Sequence, residues 1–278
     1  MDKMVGILRS AEFSPNSNDL TIMQKVAEKL QSHSISVSLK TEKEFVTENV
    51  DADAFFSMGR GKRTLEKLET MEWQGKIVVN PVEGVRNCAR PVITELMKKY
   101  GVPVPKSYVW NVGAEETHSS DVAYPCWIKR GDSSAKQKED ICFIRNEREM
   151  QQAIESFRSR GIPTIVYNEH LAGDIIKFYG VATTGFFYWY YPTLGDEIHS
   201  KFGLETINGV AQQFPFDSVI LKKEAERVAE FSCTPVYGGD CIVDATGCCR
   251  IIDFNDWPSF SRCVDGAADA ITKYILHK

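Results

Sequence analysis

The stretch from residue 236 to 258 constrains this chain more than any other. Two β-prone runs, 236–244 and 248–256, flank Gly247, a residue suited to a tight turn, and predict an antiparallel hairpin. If Thr246 and Gly247 are the two loop residues, Ala245 faces Cys248, and counting back places Asp240 opposite Asp253. Side chains alternate along a strand, so Asp253 and Asn255 share a face, roughly 6.6 Å apart along it. Three oxygen-bearing side chains thus converge on one patch. Two carboxylates among hard oxygen ligands suit Mg²⁺, with water and phosphate oxygens completing its shell. Acidic residues also decorate solvent-facing strands, and Asp244 and Asp256 read that way. Asp256 is in addition an extra ligand candidate.

The first 80 residues follow another rhythm. Val5-Gly6-Ile7-Leu8, Ile35 to Leu39, Ala54-Phe55-Phe56 and Lys76 to Val79 are strand-like. Between them lie a helix with the stripe Leu20, Met23, Ala27 and Leu30, capped by Asp19, and a charged helix from Lys62 to Met71. Strands alternating with helices imply a parallel α/β sheet. Asn80-Pro81 marks a turn. A helix then runs from near Asn87 to Tyr100, with Pro91 in its first turn and Val92, Ile93, Leu96 and Met97 apolar. Gly101 stops it, and Val102 to Pro105 is extended.

The remainder reads as α+β. Pro125 to Lys129 and Ile141 to Ile144 are strands joined by a polar loop. A helix spans Glu147 to Arg160, and Thr164 to Tyr167 is a strand. Long strands follow at Ile175 to Thr183 and Gly185 to Tyr191, then a polar stretch at 193–215. Helices are expected at Lys222 to Phe231 and Val264 to Leu276.

Composition narrows the function classes. The 278 residues are 43% hydrophobic and 26% charged, enough for one large or two to three small domains. A net charge of −5 does not suggest a general nucleic-acid surface. No apolar run reaches the roughly 18 residues of a membrane helix. Met1 to Arg9 leads straight into a strand, which predicts no signal peptide and a cytoplasmic location. The 8 cysteines are scattered, with no CxxC pair, so reduced thiols are expected and zinc is not. Gly59-Arg60-Gly61-Lys62 lacks the spacing of a P-loop, but its place after a strand could turn it toward a substrate cleft.

In their order, the segments resemble the ATP-grasp superfamily. The likeness is greatest to ligases that add glutamate to a ribosomal protein, and more distant to inositol polyphosphate kinases. It rests on Asn80-Pro81, the 87–100 helix with Tyr100-Gly101-Val102-Pro103-Val104-Pro105, Tyr124 to Lys129, Val166 to Leu171, Gly239-Asp240 and Asp253-Phe254-Asn255. It implies an N-terminal Rossmann-like domain at 1–80, a helix and central lid subdomain at 81–167, and a C-terminal subdomain at 168–278 that carries the metal site.

The resemblance also implies roles. Lys129 and Arg90 would contact phosphates, the alternative for each being an ordinary surface cation. Ser133 and Ser134 fall in the phosphate-covering loop. Asn168, Glu169, His170 and Leu171 would hold adenine, chiefly through backbone groups, and Asp174 the ribose. Lys177 would face the γ-phosphate. Asp240, Asp253 and Asn255 would hold Mg²⁺ or Mn²⁺. The related ligases carry arginines on and after the second long strand. Here Phe186 to Pro192 contains none, and Lys201 is the nearest cation, with Asn208 nearby. The implied reaction joins a small-molecule or peptide carboxylate to an amine or thiol through an acyl phosphate, releasing ADP and phosphate. A small-molecule kinase and a non-catalytic nucleotide-binding protein stay open. No nucleic acid or membrane partner is expected, and a homodimer is compatible with the sequence.

Overall fold

The structure is a computed structural model that describes residues 1–13, 19–113, 123–133, 135–194 and 203–278. Its first sheet is built from Lys3–Leu8 (β1), Ser36–Thr41 (β2), Ala54–Ser57 (β3) and Ile77–Val79 (β4), all parallel, in the order β2-β1-β3-β4. The connecting helices are Asp19–Ser32 (α1), Glu42–Thr47 (α2) and Lys62–Trp73 (α3). Alternation of strand and helix thus gives the expected parallel sheet. Asp19 is not the cap of α1 but lies in its first turn, 3.4 Å from Arg9. Leu20 is exposed, and the buried stripe is Ile22, Met23, Val26, Ala27 and Leu30. The unexpected α2 has a readable signal: Thr41 and Glu44 form a capping box.

The helix expected from Asn87 is two pieces, Val82–Asn87 (α4) and Arg90–Lys99 (α5). Pro91 sits in the first turn of α5, as anticipated; Ile93 and Met97 are buried, and Val92 is exposed. A second, antiparallel sheet follows. It comprises Ser107–Asn111 (β5), Cys126–Arg130 (β6), Ile141–Ile144 (β7) and Thr164–Glu169 (β8), ordered β5-β8-β6-β7. Glu147–Ser159 (α6) buries Met150, Ile154 and Phe157 against Ile128 and Tyr167 in a core of its own.

The third sheet, also antiparallel, contains Asp174–Val181 (β9), Phe187–Tyr190 (β10), Val236–Val243 (β11) and Cys249–Asp256 (β12), ordered β10-β9-β11-β12. On one face α5 and Ser218–Phe231 (α7) pack Ile93, Met97, Leu221 and Ala225 against Ile176, Phe178 and Phe254. At one end of the other face, Tyr179, Val181 and Val236 join the core shared by α1 and Val264–Leu276 (α8). Asn80 pins the first sheet to the third. Its amide donates to Val236 O and accepts from Val236 N, both at 2.8 Å. Asn80-Pro81 is therefore more than a turn.

The β11–β12 hairpin differs instructively from its expected geometry. Its loop is 245–247, with Asp244 N bonded to Cys248 O and Gly247 at φ +83°. That is one residue longer than expected and should have moved Asp240 off Asp253. A β-bulge at Ile252 restores the register, so Asp240 does pair with Asp253.

Candidate functional site

Across the free part of the third sheet's face, register partners form rows. One row runs Tyr190, Lys177, Asp240, Asp253; beside it lies Tyr188, Tyr179, Gly238, Asn255. Partners in adjacent strands project to the same side. The acidic patch of the hairpin is thus extended by a lysine from β9. Lys177 Nζ lies 3.0 and 3.2 Å from the Asp240 oxygens and 3.4 Å from Glu205 Oε1. Gly239 allows the close packing beside this row: a Cβ there would lie 2.3 Å from Asp253 O.

The second sheet and α5 face this patch. Lys129 on β6 donates to Ile252 O, the bulge residue, at 3.2 Å. Arg90, the first residue of α5, donates to Arg130 O at 2.6 Å and lies 4.0 Å from Asp253. Its Nε is buried and has no hydrogen-bond partner among the described residues. Between the sheets is a cavity of about 280 Å³, lined by Arg90, Lys129, Asn168 to Leu171, Lys177, Asp240, Asp253 and Asn255. Its apolar walls are Ala135 and Ile141 on one side and Ile175, Ile242 and Ile252 on the other.

The charges in this space are unequal. Burial pushes Asp240 up, and neighbouring Asp253 adds to that, against the pull of Lys177. Burial acts on Asp253 too, but Arg90, Lys129 and a hydrogen bond with Asn255 bring it below the usual carboxylate range. Burial lowers Lys129. Lys177 is held above the usual lysine range because Asp240 and Glu205 outweigh its burial.

At the far end is the 168–171 segment. The N–H groups of Glu169 and His170 are taken by Lys106 O and Pro125 O. Leu171 O accepts from Asn208 Nδ2 at 2.9 Å. Among the described residues the Leu171 N–H keeps no partner. His170 Nδ1 accepts from Trp127 Nε1 at 3.2 Å, and burial lowers its pKa, which favours the neutral ring.

Several expectations fail. Asp174 does not line the cavity; it is buried and accepts from Gln212 N and Phe214 N at 2.7 and 2.8 Å, anchoring the segment after residue 208. Asn208, by contrast, does line the cavity, and its amide donates to Leu171 O and Gly173 O. Ser133 does not line the cavity. Ser134 and Lys201 lie outside the described residues. Asp256 is no metal candidate, because it is buried and salt-bridged to Arg60. That bridge also keeps the Gly59-Arg60-Gly61 loop at the sheet junction instead of in the cleft. Glu205, missed in the sequence, lines the cavity from a short 3-10 turn in the polar stretch, where no periodicity marks it.

No family model matches the sequence, and no curated protein does so significantly. The fold has clear counterparts among solved structures. D-alanine–D-alanine ligase from Bacillus anthracis, complexed with ATP, superposes with a TM-score of 0.73 at 12% identity, covering 100% of this chain and 98% of the other. The RimK domain ATP-grasp protein from Sphaerobacter thermophilus DSM 20745 gives 0.68 at 16% identity, covering 98% and 99%. A second structure of the B. anthracis ligase gives 0.67 at 10% identity, covering 100% and 95%. The chain has the ATP-grasp fold, a mixed α/β architecture with an N-terminal parallel sheet and two antiparallel sheets enclosing a cleft.

Proposed function

We propose that the chain is an ATP- and Mg²⁺-dependent ligase that activates a carboxylate as an acyl phosphate and transfers it to an amine or thiol. One observation carries this reading. A single cavity brings together an apolar slot beside a backbone donor, two phosphate-reaching cations and a patch of oxygen ligands. The slot suits adenine, with the Leu171 N–H as donor. Lys129 and Arg90 bind phosphates, and Arg can grip them bidentately. The ATP-bound neighbour supports the nucleotide assignment.

The donor set fits a hard divalent cation. Asp240 and Asp253 are register partners, and Asn255 adds an amide oxygen on the same face. Asp240 is pushed up partly by Asp253, a repulsion that a cation relieves. Among the described residues no three His, Cys, Asp or Glu side chains form a complete cage, as expected for an ion that takes water and phosphate oxygens. When bound, the ion would screen the triphosphate and the incoming carboxylate. The chain itself binds adenine, orients the phosphates with Lys129 and Arg90, and holds Lys177 beside the γ-phosphate. Positioning and electrostatics supply the catalysis, and no protein nucleophile is required.

The test is hydroxylamine trapping. Wild-type protein with Mg-ATP and a carboxylate library should yield a hydroxamate and ADP, and Asp253→Asn should not. A stable phosphorylated product that forms without an amine would make the chain a kinase. Failure to bind Mg-ATP would end the reading altogether.

A further inference from the structure

Among the described residues, the cations that line the cavity are engaged within the fold. Arg90 and Lys129 hold backbone carbonyls, and Lys177 holds Asp240 and Glu205. At the adjoining sheet junction Arg9 and Arg60 are paired with Asp19 and Asp256. Arg262, in the loop between β12 and α8, is different. It is exposed, and among the described residues it makes no hydrogen bond and no ion pair. It is nevertheless placed: its guanidinium carbon lies 4.5 Å from the centre of the Tyr190 ring.

Tyr190 ties that guanidinium to the row of charges. It is the register partner of Lys177 and shares its face of the sheet. The ring is buried, and its hydroxyl lies 3.3 Å from the Tyr179 hydroxyl. Lys177, Asp240 and Arg262 all lie close enough to influence its ionisation. The row Asp253, Asp240, Lys177, Tyr190 crosses the sheet in steps of roughly 4.8 Å. Arg262 therefore stands at the Tyr190 end of this row, the end opposite the metal acids, just outside the residues that line the cavity. Stacking on an aromatic face orients a guanidinium while leaving its N–H fork free for an oxyanion.

The geometry points to Arg262 as the substrate-binding residue that receives the oxyanion lying beyond the γ-phosphate, either the co-substrate carboxylate or the phosphoryl group passing to it. This assignment rests on the proposed function. It supplies from the β12–α8 loop the cation that β10 lacks, and Tyr190 acts as its positioning residue.

The experiment is calorimetric titration of the full chain, saturated with Mg-ADP, with inorganic phosphate and separately with acetate. Wild-type protein should bind at least one of the two. Arg262→Gln should weaken that binding at least tenfold and change Mg-ADP affinity less than twofold. Arg262→Lys, which keeps charge without the planar fork, should fall between. Tyr190→Leu should weaken the same anion with Mg-ADP affinity retained. Weakening confined to phosphate assigns the residue to the phosphoryl group, and weakening confined to acetate assigns it to the carboxylate. Unchanged anion affinity in Arg262→Gln, or no anion binding by wild-type protein that holds Mg-ADP, overturns the inference alone. Wild-type protein that does not bind Mg-ADP overturns the proposed function with it.

Discussion

Replacing Lys177 with methionine should tighten divalent-metal binding in the absence of nucleotide. Lys177 Nζ sits 3.0 and 3.2 Å from the two oxygens of Asp240, a proposed metal ligand, and 3.4 Å from Glu205. It stays protonated, because these carboxylates outweigh its burial. Without nucleotide, an incoming ion must therefore break a charged hydrogen bond before Asp240 can serve as a ligand. Such bonds contribute about 1.5–3 kcal/mol net, and the side chains are 19% and 24% exposed, so screening removes little of it. At about 1.4 kcal/mol per decade this is roughly a 10- to 150-fold handicap on the metal. A γ-phosphate would draw the ammonium off Asp240 and abolish the handicap, which makes tight metal binding conditional on ATP. Titration of free Mn²⁺ by electron paramagnetic resonance measures this, with and without a non-hydrolysable ATP analogue. Lys177→Met should bind Mn²⁺ roughly 10- to 150-fold more tightly than wild type without nucleotide. With the analogue the gap should close or reverse, since the lysine then holds phosphate. Lys177→Arg, which keeps the charge, should behave as wild type without nucleotide. Equal nucleotide-free affinities of Lys177→Met and wild type, within twofold, would refute the reasoning.

Three other expectations concern the framework. Asn80→Ala removes both hydrogen bonds to buried Val236; the Val236 carbonyl keeps the Trp257 N–H at 3.0 Å, so the Val236 N–H is the group left unsatisfied. At about 1–3 kcal/mol for an orphaned buried group, denaturant unfolding should show a loss of roughly 1–3 kcal/mol; a loss below about 0.5 kcal/mol would contradict the role given to this side chain. Gly239→Ala places a methyl 2.3 Å from Asp253 O and 2.6 Å from the Phe178 ring. The loss should be about 1–3 kcal/mol, and metal affinity should drop with it; unchanged Mn²⁺ binding would show that Asp253 does not depend on the close packing. His170 is held below its ordinary pKa by burial. A depressed group contributes stability above the unfolded value near 6.5 that is lost as pH falls through the folded value, since the unfolded chain then binds more protons. Thermal unfolding from pH 7.5 to 5 should therefore lower the wild-type Tm more than that of His170→Gln, and parallel curves would exclude this contribution.

The hairpin shows how far local pattern reaches. Turn chemistry around Gly247 placed the reversal, and side-chain alternation put Asp253 and Asn255 on one face. The one-residue error in loop length was cancelled by the bulge at Ile252, which no local pattern announces because Ile-Ile suits either register. Asp174 shows the opposite case. The family resemblance implies a ribose ligand there, but the backbone amides of Gln212 and Phe214 fold back onto it from about forty residues away. Lys177 could be suspected, yet its pairing with Asp240 depends on β9 lying beside β11, a long-range choice. Glu205 and Arg262 sit in irregular segments, where neither period 2 nor period 3.6 marks a face.

The distribution of ties between the sheets suggests which part of the cleft is free to move. The first and third sheets share one core, in which α1 packs on α8 and Tyr179, Val181 and Val236 lie beside Met4 and Phe56. Asn80 clamps Val236, and Arg9 donates to Trp257 O at 2.9 Å. Separating these sheets would expose that core and orphan buried polar groups. The second sheet has its own core, built from residues 110–167. Its polar ties to the third sheet and α5 include Lys129 to Ile252 O, Arg90 to Arg130 O and the 3.8 Å pair Arg250–Glu169. Two of these ties belong to the cations assigned to phosphate. A nucleotide entering the cavity would take Lys129 and Arg90 from backbone carbonyls and bridge the two sheets through its own charges. These contacts are in this sense placeholders: they hold the cleft assembled, and each would be exchanged for a contact between the same cation and a phosphate anion in place of a neutral carbonyl. The second sheet is then the part expected to shift on nucleotide binding, while Asp240 and Asp253 stay on the third sheet, which shares its core with the first.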